Sequence, residues 1–315
     1  MSANHAVVVD PDVAGRLALR EVAAPAPAPS EALVRVAAIS LNRGELRRAA
    51  SAQPGWRPGW DLAGTVEQPA ADGSGPRKGA RVVGMLGSGA WAELVAVPTN
   101  ILAEIPDNVS FAQAATLPVA GLTALRALEK GGLLLDQKVL ITGASGGVGH
   151  FACQLAHRAG AEVTGVVSQP EREAFVRQAG AHHVAVGEDL STAQQFGPYH
   201  LILESVGGKS LSSALSMLAP EGTCVLFGTS STPEITFDAR AFYLTGGATL
   251  YGFYLFHELE RRPGAEDLSR LARMIAAGQL HPQIDVEAPW TQIANIAQQL
   301  IDRRFAGKAV LHLTS

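Results

Sequence analysis

Cysteine is rare in this chain of 315 residues, and Lys and Arg are outnumbered by Asp and Glu. The two cysteines, Cys153 and Cys224, cannot build a four-thiolate zinc site, and neither stands in a Cys-x-x-Cys pair. We interpret both as small buried hydrophobic residues. The net charge of −4 does not favour binding to the negatively charged backbone of nucleic acid, so we expect no nucleic-acid partner.

Long hydrophobic runs are also missing. No uninterrupted apolar stretch is long enough to cross a bilayer, and the first residues lack the basic flank and apolar core of a signal peptide. We therefore expect a soluble, cytoplasmic protein with no membrane partner. What is present, 47% hydrophobic residues, 17% charged residues and 33 glycines, fits an α/β enzyme long enough for two domains.

The most informative stretch runs from residue 139 to residue 150 and reads Val-Leu-Ile-Thr-Gly-Ala-Ser-Gly-Gly-Val-Gly-His. An apolar strand enters a helix through glycines, which aims free N–H groups and the positive end of a helix dipole at one point. Gly146 would let the backbone approach a pyrophosphate, and Gly149 would let the helix pack closely on the strand. Ala144 replaces the first glycine of the usual G-x-G-x-x-G pattern. We predict dinucleotide binding; the alternative is a structural glycine turn in an unrelated α/β protein.

The organisation of the chain changes twice. Short β-branched segments separated by Pro and Gly fill the first hundred residues and predict an irregular β-rich domain; they are 32–39, 63–66, 81–85 and 92–97. Strands then alternate with helices, which predicts a parallel, doubly wound sheet. The predicted strands are 138–142, 162–167, 183–186, 200–204 and 223–227, and the helices between them are 148–159, 170–179 and 209–218. Beyond about 249 come two helices, near 266–277 and 290–303, and a closing strand at 309–313.

The residues after the second strand of the alternating region bear on the choice of cofactor. An enzyme that prefers NAD usually places Asp or Glu there for the ribose 2′-hydroxyl, but this chain has Ser168 and Gln169, with Arg172 soon after. A neutral pocket beside an arginine favours a 2′-phosphate, so we predict NADPH. Ser168 and Glu171 also match a helix capping box, and Pro170 suits the first helical position; the two interpretations are compatible.

Short motifs occur in a constant order from residue 40 to residue 311. Besides the glycine loop they are Ser40-Leu-Asn-Arg-Gly-Glu45, Pro58-Gly-Trp-Asp-Leu-Ala-Gly64, Gly89-Ala-Trp-Ala-Glu93, Leu117-Pro-Val-Ala-Gly-Leu-Thr-Ala124, Glu204-Ser-Val-Gly-Gly208 and Gly307-Lys-Ala-Val-Leu311. In this order they resemble the medium-chain dehydrogenase/reductase superfamily, in its zinc-free quinone oxidoreductase branch.

The resemblance implies a fold and an activity. The expected fold is α/β: a GroES-like β-rich catalytic domain over 1–115, a Rossmann NADPH-binding domain over 116–250, and a segment over 251–315 that returns to the catalytic domain. The expected reaction transfers hydride from NADPH to a quinone or to an α,β-unsaturated carbonyl. Where the zinc branch has its metal ligands, this sequence has Ser40 or Asn42 and Gly59-Trp60-Asp61, so we expect no metal.

The resemblance also implies the residues that contact the cofactor. Expected at the pyrophosphate are Ser145, Gly146, Gly147 and Val148; at the 2′-phosphate, Ser168 and Arg172; at the nicotinamide, Phe227, Gly228 and Thr229; and at further contacts, Thr123, Phe253, Tyr254 and Lys308.

On the substrate side, Asn42 is expected to polarise the carbonyl of the acceptor, or else to be a turn residue that bonds its own backbone. Arg47 stands where some relatives carry a tyrosine. It belongs with Arg43 and Arg48 to a basic cluster that is either a solvated face or a site for an anionic substrate. Trp56 and Trp60 either stack on a flat ring or serve packing. The proton that follows the hydride comes from Tyr251, Tyr254 or water.

Two alternatives to a quinone or enone oxidoreductase are a dedicated enoyl reductase of a biosynthetic pathway and a non-catalytic NADPH-binding sensor or scaffold. The resemblance also implies a homodimer, formed through the edge of the Rossmann sheet at the apolar segment 248–256.

Overall fold

The computed structural model describes residues 4–187 and 189–313. They form two units, one that comprises the residues up to Leu122 and those from Leu259 on, and one that comprises Thr123–Glu258. The strands are β1 (Asn4–Val9), β2 (Leu17–Val22), β3 (Glu31–Ser40), β4 (Asp61–Gln68), β5 (Arg81–Met85), β6 (Leu94–Pro98), β7 (Leu102–Glu104), β8 (Lys138–Ile141), β9 (Glu162–Val167), β10 (His183–Val186), β11 (Tyr199–Glu204), β12 (Leu218–Leu226), β13 (Thr249–Gly252), β14 (Ile284–Pro289) and β15 (Lys308–His312). The α-helices are α1 (Arg43–Ser51), α2 (Phe111–Ala115), α3 (Leu122–Glu129), α4 (Gly147–Arg158), α5 (Glu173–Gln178), α6 (Gly208–Leu215), α7 (Ala239–Leu244), α8 (Leu255–Arg261), α9 (Ala265–Ala276) and α10 (Ile293–Ile301).

The first unit is built on a seven-stranded sheet with the order β14-β15-β3-β4-β5-β7, in which β6 also pairs with β3. All of these pairs are antiparallel except β14 with β15. Trp91, Ile39 and Leu62 are fully buried in its core, together with Leu311 from β15. Because β15 pairs with β3, the last strand completes a sheet that otherwise comes from the first hundred residues.

The second unit is a six-stranded parallel sheet with the order β10-β9-β8-β11-β12-β13. In chain order this is 3-2-1-4-5-6, the doubly wound arrangement in which the strand order reverses between β8 and β11. The predicted fold class is therefore confirmed. Cys153 and Cys224 are buried as expected, and burial raises the pKa of the Cys153 thiol to about 12.

Several predicted helix starts differ in the structure. The helix expected over 170–179 begins as a 3-10 turn, Pro170–Arg172, whose N-cap residue is Gln169, so Ser168 does not form the expected capping box. The helix expected near 290–303 likewise begins with a 3-10 turn, and its α-helical part is Ile293–Ile301. Pro118 does not break the chain's helical path, because it stands at the start of a π-helical turn, Leu117–Gly121, that runs into α3.

Ser110 and Gln113 form a capping box at the start of α2, since each residue's side chain accepts the other's backbone N–H. In the described part of the chain, no helix is both long enough and apolar enough to cross a membrane.

Gly149→Ala is expected to lower the free energy of unfolding by about 1–3 kcal/mol. A Cβ at this position would stand 2.7 Å from Ala144 Cα and closer still to the Gly143 carbonyl oxygen, so the start of α4 would have to move away from β8. Unfolding in urea measures the change. Gly87→Ala is the control, because a Cβ there meets nothing within 4 Å; equal losses in both variants would contradict the steric argument.

Candidate cofactor and substrate site

The glycine loop presents the amide groups at the start of α4. Gly146 is the N-cap residue and has no side chain to bond them, so the N–H groups of Gly147, Val148 and the following residue have no acceptor inside the helix. Gly146 is exposed and Ser145 is half-buried. The four residues predicted at the pyrophosphate therefore share one helix start whose dipole favours an anion. Their contact with a cofactor stays a prediction.

Small residues keep this loop in shape. Gly143 has a left-handed φ of 59°, and a Cβ there would stand 2.9 Å from the Ser205 Oγ. Its carbonyl oxygen accepts the Gly146 N–H at 2.9 Å, and the Ala144 N–H donates to Val166 O at 3.0 Å. A side chain at Gly143 would thus press on the loop that follows β11.

A buried carboxylate, Glu204, organises the neighbouring strand end. Its Oε1 accepts the hydroxyls of Thr142 (3.1 Å) and Ser210 (2.8 Å), and its Oε2 accepts the Gly207 N–H (2.9 Å). Burial raises the pKa of Glu204. These hydrogen bonds, together with one from the Val206 N–H, offset only part of that rise. Glu204 therefore joins the ends of β8 and β11 at the point where the strand order reverses, which is where open α/β sheets bind ligands.

The three residues predicted at the nicotinamide follow the end of β12. The Phe227 N–H donates to Glu204 O at 3.0 Å, and a Cβ at Gly228 would stand 3.0 Å from Ser205 O. Phe227, Gly228 and Thr229 are half-buried. They lie at the carboxyl edge of the sheet, beside the loop after β11.

The two residues predicted at the 2′-phosphate lie where β9 ends. Ser168 is exposed and Arg172 is half-buried, and the Arg172 N–H donates to Gln169 O at 3.1 Å. Both residues therefore belong to one short turn, as the spacing predicts.

The remaining predicted cofactor residues of the second unit differ in exposure. Thr123 is buried in α3, and Phe253 is buried with its N–H donating to Leu226 O at 2.8 Å. Tyr254 is 64% exposed. Their roles stay predictions.

Tyr251, predicted on the substrate side, has its hydroxyl in a local cluster. The hydroxyl donates to Glu258 and accepts from Lys130 Nζ at 3.1 Å, and Lys130 also lies over the tyrosine ring, 4.4 Å from its centroid. Lys130 and Glu258 form an ion pair at 3.0 Å. The pKa of Lys130 is raised: burial opposes its charge, but the bonds to Tyr251 and Glu258 outweigh that effect. A proton on Tyr251 is thus held by Glu258 rather than free for an acceptor.

In the first unit, four polar side chains form a buried cluster around Asn42. Asn42 Nδ2 donates to Asp61 Oδ2 (2.7 Å) and to Glu45 Oε1 (3.1 Å). Lys308 Nζ donates to Asn42 Oδ1 (2.6 Å), Leu41 O (2.9 Å) and Asp61 Oδ2 (3.4 Å). We call Asn42, Glu45, Asp61 and Lys308 the Asn42 cluster.

Backbone amides complete the Asn42 cluster. Glu45 accepts the N–H groups of Asn42 (2.6 Å) and Trp60 (2.7 Å), and Asp61 Oδ1 accepts the Val119 N–H (3.0 Å). Burial raises the pKa of both carboxyls; the charge of Asp61 raises that of Glu45 further, while Lys308 and the hydrogen bonds lower both. The Asn42 cluster contains two carboxyls, one ammonium and one amide, and each of these groups has hydrogen-bond partners.

The other predicted substrate residues surround α1. The Trp60 ring lies against Gly44, where a Cβ would stand 2.7 Å from it, and its Nε1 donates to Gly87 O at 3.1 Å. Trp56 is half-buried against the core, under the guanidinium of Arg48 at 5.2 Å. Arg47 is exposed.

The basic cluster extends beyond α1. The pKa of the half-buried Arg43 is lowered by burial and by the charges of Arg303 and Arg47. Positive charge is therefore concentrated on this side of the first unit.

Sequence reasoning missed Glu45 and Glu204. A signal for Glu45 exists, because Asn42-x-x-Glu45 is the spacing of a capping box, which the structure contains. For Glu204 the sequence shows only an acid at a strand end. Asp61 holds local structure, because it accepts hydrogen bonds from Asn42, Lys308 and the Val119 N–H. Among the described residues, no group of three or more His, Cys, Asp or Glu side chains could hold a metal ion.

Comparison with known proteins identifies the class. The profile described as alcohol dehydrogenase GroES-like domain matches residues 28–107, and the one described as zinc-binding dehydrogenase matches 147–276. A quinone oxidoreductase of Pseudomonas aeruginosa is 30% identical over 90% of this chain and 92% of its own. A spectinabilin polyketide synthase system protein of Streptomyces orinoci is 33% identical over 83% of this chain but only 12% of its own. A mycobacterial protein solved in complex with NADPH is 26% identical, covers 98% of this chain and 99% of its own, and has a TM-score of 0.87.

The chain therefore belongs to the medium-chain dehydrogenase/reductase superfamily, whose fold of GroES-like and Rossmann parts the two units show. Within it, the chain falls in the zinc-free quinone oxidoreductase-like branch, as the motifs predicted. It is an oxidoreductase of that superfamily with a nicotinamide cofactor.

Glu204→Gln is expected to lower the free energy of unfolding by about 1–3 kcal/mol, because both oxygens of the carboxyl group can accept hydrogen bonds in either protonation state, whereas the amide nitrogen of Gln cannot accept any. Burial raises the folded-state pKa of Glu204, so its contribution to stability is complete below its unfolded pKa of about 4 and falls as the pH rises through the folded value. The deficit of the variant should therefore be largest near pH 4. Urea unfolding across pH tests this, with Glu67→Gln, at a half-buried residue paired with Arg35, as the control. The same pH profile for both variants would contradict it.

Proposed function

We propose that this protein transfers hydride from NADPH to a quinone or to the C=C bond of an α,β-unsaturated carbonyl, without a metal. The proposal is supported by two features of the second unit. The glycine loop between β8 and α4 lies where the strand order 3-2-1-4-5-6 reverses. The turn after β9 has Ser168 and Arg172 where enzymes that prefer NAD carry a carboxylate. When bound, NADPH supplies the hydride.

The chain's own residues bind and orient. The amides at the start of α4 hold the pyrophosphate, Ser168 and Arg172 hold the 2′-phosphate, and Phe227, Gly228 and Thr229 support the nicotinamide. The proton for the acceptor comes from water or from the exposed Tyr254, because the hydroxyl of Tyr251 is bonded to Glu258.

The positive charge of Lys308 beside Asp61 disfavours a zinc ion at this place. At the positions where zinc-dependent relatives carry their ligands, this sequence has Ser40 or Asn42 and Gly59-Trp60-Asp61, none of them cysteine or histidine. Asp61 already accepts from the ammonium of Lys308. A second cation beside a buried ammonium would be repelled.

A dedicated reductase of a biosynthetic pathway is the second candidate. It is favoured by the 33% identity to a segment of a polyketide synthase system protein. It predicts slow turnover of simple quinones.

The proposal is tested by titrating the pure protein with NADPH and NADH, and then by following NADPH oxidation with 1,4-benzoquinone, 9,10-phenanthrenequinone and a 2-alkenal. Turnover of these acceptors is expected. Tight binding with negligible turnover would support the dedicated reductase or a non-catalytic sensor, and the absence of binding would overturn the proposal.

Arg172→Ala is expected to raise the KM for NADPH about 10- to 100-fold and to leave that for NADH nearly unchanged, because the guanidinium contacts only the 2′-phosphate. Steady-state kinetics with both cofactors measure the ratio. Arg158→Ala, on the exposed end of α4, is the control. An equal rise for both cofactors would show that Arg172 does not select the phosphate.

We also propose that the protein is a homodimer through the edge of the parallel sheet. β13 is the last strand in that sheet, and the exposed apolar side chains Tyr243, Leu244 and Leu250 lie on or just before it. An open edge with an apolar border suits a second copy related by a twofold axis.

Leu250→Lys is expected to convert the dimer to a monomer, because a charge on this edge opposes pairing. Light scattering coupled to gel filtration measures the mass. Leu133→Lys, which alters a side chain that is 80% exposed in the loop after α3, should remain dimeric. A parent protein that runs as a monomer would refute the dimer.

A further inference from the structure

Glu204 is a buried charge that the proposed hydride transfer does not use. Its carboxyl is fully buried and accepts from two hydroxyls, that of Thr142, which follows β8, and that of Ser210 in α6. It also accepts from the N–H groups of Val206 and Gly207. These two residues belong to the segment 205–207 between β11 and α6, which we call the β11 loop. Burying a carboxyl is costly unless it is well hydrogen-bonded, and here three segments of the second unit share it as a partner.

A second set of bonds joins the β11 loop to the end of β8. The hydroxyl oxygen of Thr142 accepts the Ser205 N–H at 2.9 Å, and the Ser205 hydroxyl donates to Thr142 O at 3.2 Å. The residue after Thr142 is Gly143, which opens the glycine loop. The β11 loop is therefore fixed to the base of the glycine loop through Thr142.

The β11 loop in turn supports the residues that follow β12. The Ser230 N–H donates to Ser205 O at 3.0 Å, and the Ser231 N–H donates to Val206 O at 2.8 Å. We call residues 227–231 the β12 loop, and it includes the three residues predicted at the nicotinamide. Their position thus follows that of the β11 loop.

The glycine loop has a support of its own, because its Ala144 N–H donates to Val166 O in β9. The predicted contacts of the adenosine half of the cofactor therefore belong to β8 and β9, and those of the nicotinamide half belong to the β12 loop. β8 and β12 are not neighbours, since β11 lies between them in the sheet. Glu204, at the end of β11, bonds to both sides: its carboxyl accepts from Thr142, and its backbone oxygen accepts the Phe227 N–H.

We propose that Glu204 and Thr142 are positioning residues that hold the glycine loop and the β12 loop at the spacing that a single nicotinamide cofactor bridges. The inference rests on the proposed function. Neither residue touches the cofactor in this role, since Glu204 is fully buried and Thr142 is 1% exposed. They act through the β11 loop, and without them this loop and the β12 loop can shift relative to the glycine loop. A ligand that reaches both the glycine loop and the β12 loop then loses affinity, whereas a ligand confined to the adenosine side does not.

Thr142→Val is the direct test, because it removes the hydroxyl that donates to Glu204 and accepts from Ser205 while it keeps the shape of the side chain. Isothermal titration calorimetry measures two dissociation constants, one for NADPH and one for adenosine 2′,5′-bisphosphate, which lacks the nicotinamide half. The constant for NADPH is expected to rise about tenfold, and that for the bisphosphate is expected to stay within about twofold of the parent's.

Glu204→Gln is the second variant. It keeps the size of the side chain but leaves one oxygen instead of two to accept the converging donors, so the same selective loss is expected. Thr164→Val is the matched control. Thr164 is also 1% exposed, but it lies within β9, paired with Leu140, rather than after a strand end. The control removes a buried hydroxyl from the same sheet and should leave both dissociation constants within about twofold of the parent's.

Two results would overturn the inference. An equal rise for both ligands in either variant would mean a general loosening of the second unit rather than a change in the spacing of the loops. Unchanged NADPH binding in either variant would mean that the loops keep their spacing without that side chain. Urea unfolding shows that each variant is folded, and Thr142→Val decides alone if Glu204→Gln is unfolded. A parent protein that binds no nicotinamide cofactor would instead refute the proposed function.

Discussion

The ammonium of Lys308 is the charge on which the first unit depends. It lies in a sheet core, 4% exposed, and its three bonds join β15 to the residue after β3, to the start of α1 and to the start of β4. A buried ammonium is costly alone, and so are the buried carboxyls of Asp61 and Glu45. Each charge is tolerated because the others are present, so the loss of one would leave the others buried without a partner.

The second unit relies on the absence of side chains rather than on charge. Gly143 and Gly149 let β8, α4 and the loop after β11 approach more closely than any Cβ permits. Glu204 then satisfies the hydroxyls and amides that converge there. The second unit thus presents uncapped backbone N–H groups at the start of α4.

Much of this was predictable from local pattern. Apolar runs that alternate with helices indicated the parallel sheet, and the glycine stretch indicated the loop between β8 and α4. Each of these signals consists of residues that are close together in the sequence. The helical segments at Pro170 and Trp290 begin where the sequence predicts, but their 3-10 geometry was not predicted, because a 3-10 turn and an α-helix share the same local preferences. The bonds of Asn42 were beyond local reasoning. Its spacing to Glu45 is visible, but Asp61 and Lys308 approach it only through strand pairing of β4 and β15 with β3.

The pairing of β15 with β3 can form only late in biosynthesis, because β15 follows all the other described strands in the chain. Lys308 and Leu41 are 267 positions apart, whereas the six strands of the parallel sheet all lie between residues 138 and 252. The strands of the second unit are synthesised one after another, so that unit can complete its sheet before β15 has been made. At that point β3 still lacks its pairing partner β15. During that interval Asp61 and Glu45 lack their cation, and the half-made first unit is the species that a chaperone would have most reason to hold.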